Sequence, residues 1–211
     1  MRIVALLVAL AFAVPASATA RAWNFRVMLD GREIGRHRYE LQPRTDGVEL
    51  RSEARFDVRF LFVSAYRYEH AAVERWQGGC LRELQSRTVT NGERVAVSAR
   101  DIGGQLNVER PAGRDVHPGC VQSFAYWDPR ILEARALLNS QTGELVPVEV
   151  MRVGPEAVNV QGRDRLAMRH RIIGTGLQID LWYVGERWVA LEAVTEGGRR
   201  LRYELTEDAL P

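Results

Sequence analysis

The chain has 211 residues, and 29 basic residues against 27 acidic ones give it a formal net charge of only +2. All the basic residues are arginines, and they alternate with acidic residues instead of clustering. A nucleic-acid-binding protein concentrates positive charge on one face, so the composition excludes that class of partner.

The first twenty residues have the pattern of a cleavable secretory signal. A short basic start precedes an apolar run over residues 3–14, and small residues follow up to Ala20. The run is shorter than the roughly 20 apolar residues that cross a bilayer. We therefore predict that residues 1–20 are removed and that residues 21–211 form one β domain. We expect this domain to be periplasmic or secreted and not an integral membrane protein. An N-terminal helix of the fold is the alternative.

After this segment the sequence has the pattern of successive β-strands. The first strand places Trp23, Phe25, Val27 and Leu29 on one face. Residues 48–60 alternate apolar and charged side chains, which indicates a strand with one buried and one wet face. Further strands are predicted at residues 66–76, 81–90, 94–100, 145–153, 166–173, 177–184, 188–195 and 201–205.

Short turns separate these strands, many of them Asp-Gly, Asn-Gly or Gly-Gly pairs. Short connections make strands adjacent in sequence adjacent in the sheet, which predicts an antiparallel meander. About a dozen strands do not stay flat, so we expect a mainly β fold curled into an open or half barrel.

One segment departs from the strand pattern and predicts a short helix after Pro129. Asp128 suits an N-cap and Pro129 the first helical position. Apolar residues at helical spacing follow, at Ile131, Ala134, Leu137 and Leu138. We expect this helix to lie across the open mouth or concave face of the sheet. A rival hypothesis makes Asp128 a general acid or base together with His117 or Glu133.

Two cysteines, Cys80 and Cys120, predict a disulfide in an oxidising compartment. The alternative is a thiol nucleophile at Cys120, with His117 three residues before it.

The histidines lack metal-site spacing, and the sequence has no nucleophile elbow, phosphate-binding loop or paired-cysteine zinc motif. We therefore predict no metal, no cofactor and no catalytic residue. The four histidines are His37, His70, His117 and His170.

Aromatic side chains spread over many predicted strands converge on the concave side if the sheet curls. They either fill the core or line an apolar cavity. Small residues such as Ser52 and Ala54 either leave room beside them or mark the place where the helix packs. The residues expected around such a cavity are Phe56, Phe60, Tyr66, Trp127 and Trp182. We hypothesise non-catalytic binding of a hydrophobic or amphiphilic ligand, such as a lipid or acyl chain. The alternative is an envelope-assembly or protein-interaction module without a small ligand.

Several motifs together resemble a family of exported bacterial proteins catalogued as domain of unknown function number 6134. They are residues 23–27 with Asp30-Gly31 and Ile34-Gly35, Gly119-Cys120 with the Phe-Ala-Tyr-Trp-Asp-Pro box at 124–129, residues 137–143, and residues 181–191 with their two tryptophans. The resemblance implies no activity, cofactor or catalytic residue. More loosely, a curled sheet with a helical plug is similar to the lipoprotein-localisation carriers of the Gram-negative periplasm. That similarity implies an acyl-chain site in an apolar half barrel.

Overall fold

A computed structural model of the chain describes residues 20–60, 63–195 and 197–209. The predicted signal peptide lies outside these residues, except for Ala20. The described chain forms one sheet of 14 strands and one 3-10 turn, Pro129–Glu133. The strands are β1 (Arg21–Leu29), β2 (Arg32–Arg44), β3 (Gly47–Phe60), β4 (Val63–Gln77), β5 (Cys80–Thr90), β6 (Glu93–Ile102), β7 (Gln105–Arg110), β8 (Gly113–Pro118), β9 (Ala136–Leu138), β10 (Leu145–Val160), β11 (Arg163–Gly174), β12 (Leu177–Val184), β13 (Arg187–Val194) and β14 (Arg200–Ala209).

The sheet consists of two antiparallel meanders joined edge to edge. The strand order runs from β8 back to β1, then from β14 back to β9, and β1 pairs with β14 at the junction. The two outer strands, β8 and β9, do not pair with each other, so the sheet does not close into a barrel. The predicted mainly β fold, an open and mostly meandering antiparallel sheet, is confirmed.

The main apolar core lies on one face of this sheet, and residues from both meanders share it. Phe25, Leu84 and Leu106 of the first meander belong to the same buried cluster as Ile172 and Leu181 of the second. Strands so far apart in the sheet order share one cluster because the sheet curls around it. We call this face the concave face.

The chain between β8 and β9 crosses from one edge of the sheet to the other. We call residues 119–135 the crossing segment. The amide of Leu81 donates to the carbonyl of Val121 at 2.9 Å, and Leu138 donates to Gln122 at 2.8 Å. Val121, Ala125 and Ile131 are buried in the main core. The segment therefore covers the concave face, as the sequence predicted for its helical part.

The helix after Pro129 is present, but it is a single 3-10 turn. The Asp128 side chain accepts a hydrogen bond from the backbone amide of Arg130 at 3.1 Å, which confirms the predicted N-cap. Ala134 is already extended, with φ −69° and ψ 146°. The prediction of helix through Leu138 was wrong, because Ala136–Leu138 instead pairs with β10 as strand β9. Tertiary pairing here overrides a helical pattern of apolar residues.

Strands β2, β7 and β8 were not predicted. In β2 the inward positions include His37 beside Tyr39 and Leu41, all of them buried. A polar residue at an inward position breaks the apolar alternation that marks a half-buried strand. In β7 only Leu106 and Val108 are buried, and β8 has no buried residue.

The predicted disulfide is confirmed. Cys80, the first residue of β5, is bonded to Cys120 near the start of the crossing segment, 40 residues further along the chain. The hydrogen bond between Leu81 and Val121 lies directly beside it. The bond therefore ties the crossing segment to the sheet that it covers.

We expect the Cys80→Ser/Cys120→Ser variant to be less stable than the wild type by roughly 4 kcal/mol, because the unfolded chain regains the entropy of the open loop. Urea unfolding under non-reducing conditions measures the difference. Wild-type protein with its disulfide reduced is the control and should match the variant. An unfolding free energy equal to that of the oxidised wild type would contradict this role.

Candidate functional site

A cavity of about 480 Å³ lies on the concave face. Its walls come from the inward faces of β2, β3, β4, β12, β13 and β14, from residues 124–126 of the crossing segment, and from the turn at residues 139–141. We call it the central cavity. It exists because the crossing segment bridges the curled sheet without filling it.

A buried hydrogen-bonded network around His37 forms one wall. The Nε2 atom of His37 lies 2.7 Å from the hydroxyl of Ser52. Its Nδ1 atom lies 3.2 Å from the hydroxyl of Tyr203 and 3.1 Å from that of Tyr39. Burial lowers the pKa of His37 well below its ordinary value, and the nearby His70 adds to the effect. The imidazole is therefore neutral at physiological pH.

The partners of His37 determine what it can do chemically. Two tyrosine hydroxyls face Nδ1, which suits an unprotonated, accepting nitrogen and leaves the proton on Nε2. With that tautomer Nε2 donates to Ser52. A histidine that activates a serine must instead accept the hydroxyl proton. In this tautomer the serine accepts a hydrogen bond from His37 and is not activated as a nucleophile.

His70 adds a second neutral imidazole to the lining. Its Nδ1 lies 2.9 Å from the hydroxyl of Thr88 on β5. Its Nε2 lies 3.4 Å from the hydroxyl of Ser140, in the turn after β9. Burial lowers the pKa of His70 to about 4. This side chain connects the sheet to the turn that borders the cavity.

Glu74 is the buried carboxyl group of the lining. It accepts hydrogen bonds from the Ser123 hydroxyl at 2.9 and 3.0 Å and from the Trp76 indole N–H at 2.9 Å. Its exposed fraction is only 5%. Burial raises the pKa of Glu74 to about 7, although these two donors act in the opposite direction. Glu74 therefore changes its charge near neutral pH, and it also holds the crossing segment to β4.

Four tyrosines supply most of the aromatic surface of the lining. Burial raises the pKa of each one, so all four stay neutral. The ring of Tyr126 packs 5.2 Å from that of Trp188, and its carbonyl accepts from the hydroxyl of Tyr183 at 2.7 Å. The four are Tyr39, Tyr68, Tyr126 and Tyr203.

No arginine lines the central cavity among the residues that the structure describes, although the chain has 29 basic residues and all are arginines. The carboxyl groups of the lining belong to Glu74, which is buried, and Glu144, which is exposed. The arginines lie outside the cavity, and many pair with surface carboxylates, as Arg26 does with Glu204.

Two of the residues expected to contact a ligand, Phe56 and Tyr66, lie beside the central cavity rather than in its lining. Phe56 is buried and stacks on Tyr68, with ring centroids 5.1 Å apart. Tyr66 also stacks on Tyr68, with ring centroids 6.4 Å apart, and is 37% exposed. Both side chains therefore support a cavity residue. Ser52, expected to leave room on this face, does line the cavity.

The other three expected residues are not brought together. Trp127 packs edge-on against Trp76, with ring centroids 6.0 Å apart. Trp182 lies on the opposite face of the sheet, in a small cluster with Val189 and Ala190, and its indole N–H donates to Glu156 at 3.3 Å. The side chain of Phe60 lies outside the described residues. The role of these residues as ligand contacts stays a prediction.

The sequence reasoning missed the polar side chains of the site. His37 and His70 were considered only as metal ligands, for which their spacing is unsuitable, and Glu74 was not singled out. A signal was present, because Tyr68, His70, Ala72, Glu74 and Trp76 occupy alternate positions of one strand. The inward position of the aromatic residues at both ends fixes the same face for the polar ones between them.

The alternative site around Asp128 has a different geometry. The Asp128 carboxylate accepts from the guanidinium of Arg130 at 2.6, 2.9 and 3.0 Å, in addition to capping the 3-10 turn. His117 and Glu133 line a separate open cleft of about 510 Å³ that Asp128 does not line. Cys120 is bonded to Cys80, so it is not a free thiol.

Metal ligation and membrane spanning are two further possibilities for the part of the chain that the structure describes. No group of three or more histidine, cysteine, aspartate or glutamate residues there is placed to hold a metal ion. No helix there is long and apolar enough to cross a membrane.

The sequence matches the family model described as "Domain of unknown function (DUF6134)" over residues 25–206. The chain belongs to this family. The resemblance found in the sequence is thereby confirmed, and it covers nearly all of the 14-stranded sheet. No curated protein shows a significant match to the sequence.

Among solved structures, the chain is similar to a beta-barrel-like protein of Domain of Unknown Function DUF1849 from Brucella abortus. The TM-score is 0.67, and the similarity covers 90% of this chain and 96% of that chain at 12% sequence identity. At such low identity the similarity shows the fold alone. The looser similarity to lipoprotein-localisation carriers stays a prediction.

We expect the Glu74→Gln variant to gain stability relative to the wild type as the pH rises. The pKa of Glu74 is raised in the folded state, so the folded protein binds more protons than the unfolded chain between about pH 4.5 and pH 7. Wild-type stability is therefore lost as the pH rises through this window, and a glutamine removes the effect.

The difference in unfolding free energy between variant and wild type should shift in favour of the variant by on the order of 2 kcal/mol from pH 5 to pH 8. Urea titrations at the two pH values measure it. Glu69→Gln, on the exposed face of the same strand, is the matched control. If the difference in unfolding free energy did not change with pH, Glu74 would not be a buried carboxyl group with a raised pKa.

Proposed function

We propose that this protein binds a small amphiphilic ligand in the central cavity and performs no catalysis on it. One observation carries the proposal: a cavity of about 480 Å³ on the concave face is lined by buried polar groups along an aromatic wall. Small-molecule sites have volumes of roughly 300–1,000 Å³ and combine an apolar lining with a few placed polar groups.

The lining divides into parts that suit the two ends of an amphiphile. The groups from Ser52, His70 and Glu74 offer hydrogen-bonding atoms on β3 and β4. Leu177, Ile179, Leu191 and Leu201, from β12 to β14, offer aliphatic surface. A ligand with one polar end and one apolar end can contact both parts at once.

The geometry of the serine supports a binding role over a hydrolytic one. Ser52 accepts from His37 in the tautomer that the two tyrosine hydroxyls favour. An activated nucleophile needs an adjacent general base. We therefore assign His37 and Ser52 to orientation of the ligand.

We propose the periplasm as the site of action. The Cys80–Cys120 disulfide is compatible with an exported protein, because disulfides persist in oxidising compartments. The signal-like pattern of residues 1–20 supports the same location.

Docking of an envelope protein on a sheet edge is the second candidate. No described strand pairs with the outer edge of β10 beyond Pro147, and Met151 and Val153 are 45% and 50% exposed there. However, a bulge between Arg152 and Gly154 and a proline at Pro155 interrupt this edge. Bulges and prolines protect edges against the addition of further strands. We therefore place ligand binding first.

An Ala72→Phe substitution should block the cavity. Ala72 is 4% exposed and points into the cavity from β4, so a phenyl ring there occupies ligand space. Ala71→Phe is the matched control, since the neighbouring residue points to the exposed outer face of the same strand. Thermal unfolding and circular dichroism show whether each variant is folded.

Delipidated protein is exposed to cell-envelope extract, repurified and examined by mass spectrometry for bound small molecules. The wild type and Ala71→Phe should recover the same ligand, and folded Ala72→Phe should recover on the order of tenfold less. Recovery of nothing by the wild type, or of equal amounts by all three proteins, would reject binding in this cavity.

A further inference from the structure

The charge of the central cavity restricts what it can bind. In the described part of the chain its lining contains two carboxyl groups, those of Glu74 and Glu144, and no arginine. The other ionisable groups are two histidines, which burial keeps uncharged at neutral pH, and four tyrosines, whose pKa burial raises further above it. The only formal charge that this lining can present to a ligand is therefore negative.

Glu74 is a carboxyl group without a basic partner. Its hydrogen bonds come from neutral donors, Ser123 and Trp76. Elsewhere in the chain, buried carboxylates do have arginine partners, such as Glu49 with Arg44 at 2.8 Å and Asp180 with Arg171 at 2.7 Å. A buried carboxylate is costly unless a cation compensates it. Among the residues that the structure describes, none supplies that cation to Glu74.

Aromatic rings surround the same space. His37 stacks on Tyr39 with ring centroids 4.1 Å apart and lies 5.6 Å from Tyr203. Tyr68 stacks on His70 at 6.3 Å. The negative faces of tyrosine rings attract organic cations, most strongly where water is excluded.

We infer that the ligand of the central cavity is an organic cation with an apolar body, of the alkylammonium class. Its cationic head pairs with the carboxylate of Glu74 among the tyrosine rings, and its chain contacts the aliphatic side chains of β12 to β14. This inference rests on the proposed function, because it names the ligand class for the same cavity.

An anionic amphiphile does not fit the lining. A fatty-acid carboxylate or a phosphate would enter a space where no described lining residue is a cation and where Glu74 is already present. Like charges at close range are unfavourable, most of all where burial lowers the effective dielectric constant. A neutral amphiphile fits but leaves Glu74 uncompensated.

The titration behaviour of the lining makes the inference testable by pH. Burial raises the pKa of Glu74 to about 7, so its carboxylate is mostly formed at pH 8 and mostly protonated at pH 6. The titratable groups that share the cavity lining with it are His37 and Tyr39 from β2, Tyr68 and His70 from β4, Tyr126 from the crossing segment and Tyr203 from β14. Burial keeps these six neutral throughout this range. Glu144 is exposed and lies in the loop before β10.

The test compares three probes with the same ten-carbon chain by isothermal titration calorimetry, below the concentrations at which they form micelles. The probes are decyltrimethylammonium, decanol and decanoate. We expect the cation to bind most tightly and decanoate most weakly. Because a quaternary ammonium cannot titrate, the affinity of the cation should rise by about tenfold from pH 6 to pH 8 as Glu74 ionises, while that of decanol stays constant.

Two further measurements assign the effect to Glu74. In Glu74→Gln the cation should bind no more tightly than decanol, and its affinity should no longer depend on pH. The control Glu69→Gln, on the outer face, should retain the higher affinity for the cation and the pH dependence. If Glu74→Gln does not fold, wild-type titrations at pH 7 in buffers of different ionisation enthalpy replace it. They should show release of about half a proton per bound cation.

The outcomes separate the two proposals. The assignment of an organic cation to Glu74 would be overturned if decanoate bound as tightly as the cation. It would also be overturned if the preference for the cation disappeared in Glu144→Gln and remained in Glu74→Gln. Amphiphile binding itself would then still stand. If none of the three probes binds, both this inference and the proposed function are wrong.

Discussion

The architecture depends on one requirement: the concave face of a curled sheet with two free edges must be covered by the chain itself. The crossing segment does this, and three of its contacts tie it to strands β4 and β5. They are the Cys80–Cys120 disulfide, the adjacent hydrogen bond from Leu81 to Val121, and the hydrogen bonds from Ser123 to Glu74. The crossing segment covers the concave face without filling it, and the space that remains is the central cavity. The candidate site is therefore a consequence of how the face is covered.

The second organising feature is the separation of charges between the two faces of the sheet. Arginines and most carboxylates pair on the outer face, as Arg75 does with Glu83. The inner face retains polar groups that burial keeps neutral, together with a carboxyl group whose pKa burial raises. Such groups reduce the stability of a core compared with apolar residues of the same size. Their position around a void fits a role in recognition better than a role in packing.

Much of the fold could be predicted from the sequence, because period-two alternation is a local property. The long strand at residues 48–60 and most of the later strands follow from it directly. The disulfide follows from the two cysteines of a chain expected to reach an oxidising compartment. The site could not be predicted equally well. Trp182 was expected to face inward, but β12 is buried on both faces, so alternation does not distinguish its neighbours Leu181 and Tyr183 from it. The prediction of helix through Leu138 was wrong for a related reason. Leu137 pairs with Val146 of β10, and the local sequence pattern contains no sign of this tertiary pairing.

The pairing of β1 with β14 has a consequence for how the protein folds. These strands meet in the interior of the sheet, where Phe25 lies opposite Leu205, although about 180 residues separate them in the chain. Each meander can form from contacts between neighbours, but each then presents an unsatisfied strand, β1 or β14, until the other half arrives. Non-local pairing of this kind slows folding and exposes the intermediate to association with other chains. Joining of the two halves is therefore the step at which assembly of this molecule is most vulnerable.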